Sequence, residues 1–570
     1  MHNKTEQGIK VNAPKDPQKQ RNFFYVACDT VIYGADRGDG LYHDMVFLAN
    51  GLLAKKAASV GGITDEGMLE LLADSEGFFK VVHSIGISIV SEEVDQLTAA
   101  FTMSGKSNPF RGNTVMEALI STDGVEHVFE LAGYQINEDD NGPGNVLFRF
   151  KEIGKTARVS IRFFLNDGFD SPNLGMDPPV AFDSEGYKRM IAKSLMHMGN
   201  VKRIQDVVNK AKAGGEVTIA YIGGSITGGA GAKPHTECYA YKSYMAFKEI
   251  CGPGSRVNYI KAGVGGTPSE FGMIRYEHDV LKDNTVLPDV VVVEFAVNDA
   301  DDESRGDCYE SLVYRILSAP NRPAVILLFA VFENDWNLQD RLACVGYNYD
   351  LPMVSVKDAV VDQFKLTREE GNVISKRQFF FDIYHPTNDG HTIMADCITY
   401  FIEQAMRRPP EQADIELDKA PAIGRSYVDI MQIDRAHNIS LINVEEGSFG
   451  GQDKELQMAD FDANTFFTPI LPDNWMHEPD KGNEPIKIRA KCKAFVLVYK
   501  DSGSAEFGRA AVYVDGRKFT VLDPHKIGWT HCHPVILLNE KESDWHEISI
   551  RMEEGDEDKK FTVLCFGMVE

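Results

Sequence analysis

Five residues in the middle of this chain have the types and settings that acyl chemistry needs. Ser225 lies in Tyr221-Ile222-Gly223-Gly224-Ser225-Ile226-Thr227-Gly228-Gly229, among small residues just where the apolar run Val217–Ile222 ends. A serine hydroxyl becomes a nucleophile only when it is exposed, held beside a base and flanked by donors that can hold an oxyanion. A glycine-rich turn between strand and helix supplies the exposure. A base with its orienting carboxylate is offered by Phe381-Asp382-Ile383-Tyr384-His385-Pro386. Pro386 biases His385 away from helix, so Asp382, three residues upstream, can fold back onto the imidazole Nδ1–H. Oxyanion donors are offered by the Ser225 N–H itself, by Gly266 in Ala262-Gly263-Val264-Gly265-Gly266-Thr267, and by the Asn298 amide in Glu294-Phe295-Ala296-Val297-Asn298-Asp299. Each signal alone has an ordinary explanation. Gly-Gly-Ser turns occur in loops without chemistry, and Asp-x-x-His-Pro also describes a turn before a helix capped by Asn388. A phosphate-cradling loop fails, because no Lys follows the glycines and Ala230 stands after Gly229.

The elements that must position these residues are legible between about 190 and 410. Apolar runs Val217–Ile222, Val257–Ile260, Val290–Phe295, Val325–Phe329 and Met353–Val356 alternate with helical patterns at Tyr241–Ile250, Tyr309–Leu317 and Ile393–Met406. Val290–Val293 shows no polar alternation, as expected of a parallel strand buried on both faces. Alternating β and α elements imply a doubly wound parallel sheet, whose ligands sit at the carboxyl ends of the strands. Each candidate residue follows one of these runs or precedes the last helix.

In this order, Ser, Gly, Asn and Asp-x-x-His resemble the four blocks of the SGNH (GDSL-type) hydrolase superfamily over about residues 203–405. Gly-Gly-Ser-Ile-Thr, with Gly224 where the commonest form has Asp, is similar to a subgroup of bacterial esterases that deacetylate plant polysaccharides. Ala296 replaces the usual Gly two residues before Asn298. The resemblance implies a three-layer α/β/α, flavodoxin-like catalytic domain and metal-independent hydrolysis through an acyl-enzyme. Ser225 would be the nucleophile, His385 the base and Asp382 its orienting group, with Ser225, Gly266 and Asn298 forming the oxyanion hole. The substrates it implies are acetylated oligosaccharides of xylan or mannan type. Three rivals stand beside this reading: an O-acyltransferase, a general short-chain esterase or thioesterase, and a carbohydrate-binding protein with a vestigial triad.

The flanks read as β-rich. The expected division is 1–190 for an N-terminal β-sandwich with a helical appendage, 191–415 for the catalytic domain, and 416–570 for a jelly-roll-like sandwich. In the first, Val46–Leu53 and Met68–Leu72 have helical spacing, with Thr64 as a cap, and Asp123-Gly124 signals a hairpin. In the last, Ile486–Ala490, Ala494–Tyr499 and Ile548–Met552 read as separate strands, and Asp515-Gly516 as a second hairpin.

Other chemistry-bearing residues receive plainer expectations. His391 should pack or cap at the start of the last helix. The acids of Asp299-Ala300-Asp301-Asp302-Glu303 form a solvated first turn rather than a calcium site. His531 and His533 share one face of a surface strand, with no partner pair at zinc spacing. Trp336, after the fourth strand, and Tyr384, beside the base, are candidate sugar contacts. No metal and no cofactor is expected.

Composition bounds the remainder. A net charge of −26 repels phosphate backbones, which argues against nucleic acid and suits a neutral or cationic substrate. Hydrophobic residues at 43% and charged residues at 25% describe a globular chain. Nine cysteines without a CxxC pair, no apolar leader in Met1–Gln20 and no long apolar run point to a cytoplasmic protein without a membrane span. A homo-oligomer is compatible with all of this.

Overall fold

Four consecutive valines, Val290–Val293, are wholly buried, and they form the middle of the sheet on which the chain is built. In the computed structural model, which describes residues 20–36, 40–106, 112–437, 439–455, 471–527 and 530–570, this sheet has six strands. They are β1 (Leu195–His197), β2 (Glu216–Gly223), β3 (Arg256–Gly263), β4 (Val290–Glu294), β5 (Ala324–Phe329) and β6 (Met353–Ser355). The order is β1-β6-β5-β4-β2-β3, with every pairing parallel except that of β1 to β6 at the edge.

Successive residues of a strand point to opposite faces, and here both faces are apolar and covered. Ile219, Tyr221, Val290, Val292 and Ile326 pack under the helices Lys202–Lys212, Tyr239–Cys251, Val356–Phe364 and Asn388–Arg407. Ala220, Ile222, Val291, Val293, Val325 and Leu327 pack under Ser269–Asp279, Asp307–Leu317 and Gln339–Asn348. The helix Glu185–Ala192 crosses position 190 and buries Tyr187, Met190 and Ile191 in the first of these cores. The result is an α/β fold with helices on both sides of a mostly parallel sheet. From β2 the chain steps outward to β3 and then returns to β4 on the other side of β2. The crevice at the carboxyl end of β2 is therefore where a ligand site is expected.

Residues 23–165 form two antiparallel sheets, of four and five strands, around one core. The sequence expectations need correction in three places here. Val46 and Phe47 end the strand Tyr42–Phe47, and the helix begins only at Leu52. The cap of helix Glu66–Leu71 is Asp65, whose carboxylate accepts from Met68 N–H, and not Thr64. Asp123-Gly124 does turn the chain, with Gly124 at φ +81°, but the strands on either side, Thr114–Ser121 and His127–Glu130, belong to different sheets. Turn chemistry sets the local backbone and says nothing about which strand comes next to it.

Beyond residue 430, eight strands join in one antiparallel sheet. Two long strands run through it, Ile486–Asp501 and His531–Met552. The first spans both Ile486–Ala490 and Ala494–Tyr499, because the apparent break is an irregularity in register after Cys492. Asp515-Gly516, both at positive φ, closes the hairpin of Ala510–Val514 with Arg517–Leu522. Ala494, Val496, Val498, Cys532 and Leu564 of this sheet share a core with Phe271 and Ile274 of the helix Ser269–Asp279. At Gly567 an added Cβ would come within 2.7 Å of Ile274 Cγ1, so the sheet lies directly against that helix. All nine cysteines are free thiols. Among the described residues no helix is long and apolar enough to cross a membrane.

Candidate active site

At the carboxyl end of β2 the chain enters one short helical turn, Ser225–Gly228, with Ser225 as its first residue. The turn is tight because three strands end there together. A Cβ on Gly223 would lie 2.5 Å from the Glu294 carbonyl, and one on Gly263 would lie 2.1 Å from Gly228 N. A Cβ on Gly224 would lie 2.1 Å from Asn298 Oδ1 and 2.7 Å from Nδ2. The Asn298 amide thus sits directly against the turn that carries Ser225. That contact gives a local reason for glycine at 224, where a larger residue would displace the amide.

The Asp-x-x-His turn closes on the serine. His385 Nε2 is 2.9 Å from Ser225 Oγ, and His385 Nδ1 is 2.8 Å from Asp382 Oδ2. Asp382 Oδ1 accepts from the backbone N–H of Tyr384 at 2.7 Å and of His385 at 2.8 Å. One carboxylate oxygen therefore shapes the turn while the other faces the ring. With Nδ1–H donating to Asp382, Nε2 is the lone pair that faces the serine hydroxyl. Burial by itself would raise the Asp382 carboxyl. The His385 ring, its hydrogen bond and the Lys56 ammonium outweigh that effect and hold the group at about 2.

Lys56 was not visible as a site residue in the sequence. It lies on the helix Leu52–Ser59 of the N-terminal segment, 2% exposed. Its Nζ donates to the Phe381 carbonyl at 2.5 Å and stands 4.7 Å from the centre of the Phe381 ring. Burial, the larger effect, lowers its pKa to about 8 against the opposing pull of Asp382. Lys233, beside the same ring, pairs with Asp44 of the N-terminal sheets at 2.7 Å. The N-terminal segment thus reaches the residue next to Asp382 through a buried ammonium. The one hint was a lysine pair in the otherwise apolar helix Leu52-Leu53-Ala54-Lys55-Lys56-Ala57-Ala58.

The two remaining loops are tied to each other. Asp299 accepts from Ser269 N–H at 2.7 Å and from Ser269 Oγ at 2.8 Å, joining the end of β4 to the loop after β3. Gly266 in that loop has φ +69°, a conformation open to glycine without a steric cost. Beneath the serine turn, the fully buried Glu294 accepts from Thr227 Oγ1 at 3.0 Å, and burial raises its pKa to about 8. Sequence reasoning passed over it, although a charge at the end of a valine strand was a usable signal.

Two acids of the run after Asn298, Asp299 and Asp302, are buried rather than solvated, while Glu303 is exposed. Asp299 is fully buried, Asp302 accepts from Ser304 and Gly306, and Glu303 accepts from Ile536 N–H at 2.8 Å. His391 packs as expected, wholly buried and stacked on Tyr239, with Nε2 2.9 Å from the Ala230 carbonyl. Burial pushes its pKa down to about 4. The last helix is capped by Thr387; Asn388 instead bonds both backbone groups of Lys233.

Beside the Asp382–His385 turn lies a cleft of about 270 Å³, lined by Phe332, Glu333, Asn334, Ile383, Tyr384 and by Lys55 and Ala58 of the N-terminal helix. Tyr384 is 40% exposed here and meets Phe332 edge-on. Trp336 stacks behind Phe332 with centroids 6.0 Å apart, so it backs the aromatic wall, and Phe332 supplies the surface. Trp475 is a core residue, and Trp529 lies outside the described residues.

His531 and His533 do not lie on a surface strand. His531 is 5% exposed, and its Nε2 is 2.8 Å from the Gly266 carbonyl.

No protein-family model matches the chain, and no curated protein matches it. Solved structures do. A two-domain esterase active on acetylated mannans, crystallised with mannopentaose, aligns with a TM-score of 0.57 and 26% identity. The match covers 67% of this chain and 98% of that one. A second structure of a two-domain esterase active on acetylated mannans aligns equally well, at 25% identity over 67% of this chain and 99% of that one. The chain is thus a structural homologue of carbohydrate-active esterases, with a third of its length outside the match.

Proposed function

We propose that this protein is a serine esterase of the SGNH hydrolase type that removes acetyl groups from acetylated plant oligosaccharides. The observation that carries the proposal is the line of contacts from Ser225 Oγ through His385 to Asp382. The order of the blocks along the chain and their place at the ends of β2, β3 and β4 support the family. The mannan-active neighbour favours a mannan-type oligosaccharide over a xylan type, and the aromatic cleft beside His385 suits a sugar ring.

In this mechanism Ser225 Oγ attacks the ester carbonyl while its proton passes to His385 Nε2. The carbonyl oxygen becomes an oxyanion held by Ser225 N–H, Gly266 N–H and the Asn298 amide. Collapse expels the sugar oxygen, which takes the proton from His385. Water then attacks the acetyl-serine, again giving its proton to His385, and acetate leaves as Ser225 recovers its hydrogen. Asp382 stays ionised throughout and holds the ring in the tautomer that presents Nε2 to the serine. No step calls for a metal.

Mass spectrometry of acetylated manno- and xylo-oligosaccharides incubated with the protein tests the substrate class. Loss of acetyl units from the manno-series is expected; unchanged masses in both series would remove the deacetylase reading.

Two further outcomes follow from the contacts around the triad. Gly224→Ala should fold yet lose roughly 10²-fold in kcat, because the new methyl occupies the place of the Asn298 amide, one oxyanion donor. Wild-type kcat in a folded Gly224→Ala protein would detach Asn298 from the reaction. For Lys56, a pKa near 8 means that the ammonium beside Asp382 is present below that pH and lost above it. The wild type should therefore show an alkaline fall in kcat near pH 8, which Lys56→Met should lack. The variant should also run roughly tenfold slower at neutral pH, about 1.4 kcal/mol, near the low end for a charge-assisted hydrogen bond. An unchanged alkaline limb in Lys56→Met would restrict Lys56 to a packing role.

A further inference from the structure

The neighbouring antiparallel strands Ile486–Asp501 and His531–Met552 bring three ligand-type side chains together away from the triad. Asp501 pairs with His531 across the ladder, and Tyr499 with His533. His531 Nδ1 lies 3.0 Å and His533 Nδ1 3.2 Å from the same oxygen, Asp501 Oδ2. All three ligand atoms lie within 4.8 Å of one another. The Asp501 side chain is 0% exposed, His531 7% and His533 18%.

Among the described residues, this cluster leaves two buried polar atoms, Asp501 Oδ1 and His533 Nδ1, without a hydrogen-bond partner. The Gly266 carbonyl can only accept, so His531 Nε2 carries a hydrogen. A neutral His531 would then aim the bare Nδ1 lone pair at a carboxylate oxygen. One added proton could bridge His531 to Asp501. It would leave His533 Nδ1, which faces the same oxygen without a hydrogen bond, and Asp501 Oδ1, buried and also without a partner. A buried acceptor left in that state is destabilising, and more so when charged. A divalent cation serves all three groups at once.

We infer that Asp501, His531 and His533 form a binding site for a zinc-class divalent cation. Two imidazoles and a carboxylate are a donor set that zinc accepts, and hard cations such as calcium prefer oxygen alone. Ligands in a tetrahedral zinc site stand about 3.3 Å apart, given bond lengths near 2 Å, which is close to the two Asp501 separations. The second shell agrees as well. A metal-bound histidine characteristically donates its other ring N–H to a carbonyl or carboxylate, and His531 donates to Gly266. The less buried His533 side leaves a route for the ion and for a water as fourth ligand.

The site would fix the loop whose Gly266 N–H is assigned to the oxyanion hole, joining the C-terminal sheet to the reaction without entering its chemistry. That consequence rests on the esterase reading, whereas metal binding does not.

The test uses the full chain, stripped with a chelator and titrated with Zn²⁺ by calorimetry, alongside the metal content of the protein as purified. The native chain should take up one equivalent and unfold at a higher temperature with Zn²⁺ than without. His533→Ala, at the more open side of the cluster, should bind at least 10²-fold more weakly, and Asp501→Ala should not bind at this site. Two results would overturn the site: no zinc uptake by the stripped native chain, or equal uptake by native and His533→Ala proteins. Stripped protein that regains zinc without any gain in kcat would keep the site and sever its link to Gly266.

Discussion

Ser225→Ala should abolish release of p-nitrophenol from its acetate ester, with a loss of about 10⁴- to 10⁶-fold in kcat, the range seen when the nucleophile of such a triad is removed. The loss is this large because in the proposed mechanism the side chain makes the covalent bond, and among the described residues Ser225 Oγ is the hydroxyl hydrogen-bonded to His385 Nε2, at 2.9 Å. Folding should be untouched. Ser225 opens a short turn held by the Gly228 N–H to Gly224 carbonyl bond and by close glycine packing, neither of which involves the hydroxyl. A residual rate of 10³-fold or so over water is expected from the oxyanion donors alone. Equal turnover by wild type and variant would mean that the hydrolysis happens elsewhere.

Asp382→Asn is the second large effect, about 10⁴-fold in kcat. The substitution keeps the shape of the side chain, and the amide oxygen can still accept from Tyr384 and His385 N–H. The amide nitrogen then faces His385 Nδ1, which must become the acceptor, so the hydrogen moves to Nε2 and no lone pair faces Ser225. Stability should shift as well. The carboxyl sits at about 2, against 3.8 for an unperturbed aspartate. A depressed carboxylate pKa contributes stability that is fully present above about 3.8 and is lost as pH falls towards 2. Wild type and variant should therefore differ in unfolding temperature at pH 6 and converge near pH 2. A twofold loss of rate would leave Asp382 with only its turn-forming role.

The residues that meet at the end of β2 were readable because each sits at the boundary between an apolar run and a glycine- or proline-marked turn. Ser225 follows Ile222, Asn298 follows the valines of β4, and His385 precedes Pro386. Such boundaries are local, and the parallel α/β pattern assigns them to one rim. The contacts that join the segments were not local and left no such trace. Lys56 reaches Phe381 across 325 residues, and His531 reaches Gly266 across 265. Neither pairing is implied by the composition of either stretch. The strand that looked broken at Cys492 and the Asp123-Gly124 turn that changes sheets fail for the same reason. Local preference describes the backbone at one point, and partners come from packing. The acids at Asp299 and Asp302 misled in the opposite way. Their spacing suits a solvated helix start, yet Ser269 and Arg341, brought from elsewhere in the fold, bond Asp299 and Asp302 in the buried interior.

The proposed hydrolysis turns on one hydroxyl being activated by His385. Treatment with a fluorophosphonate, followed by peptide mass spectrometry, reads that activation without any choice of sugar. The adduct should fall on the peptide containing Ser225, at one equivalent per chain, and labelling should slow at least 10²-fold in Asp382→Asn. A protein that cleaves the acetate ester while Ser225 stays unlabelled would show that another group does the chemistry.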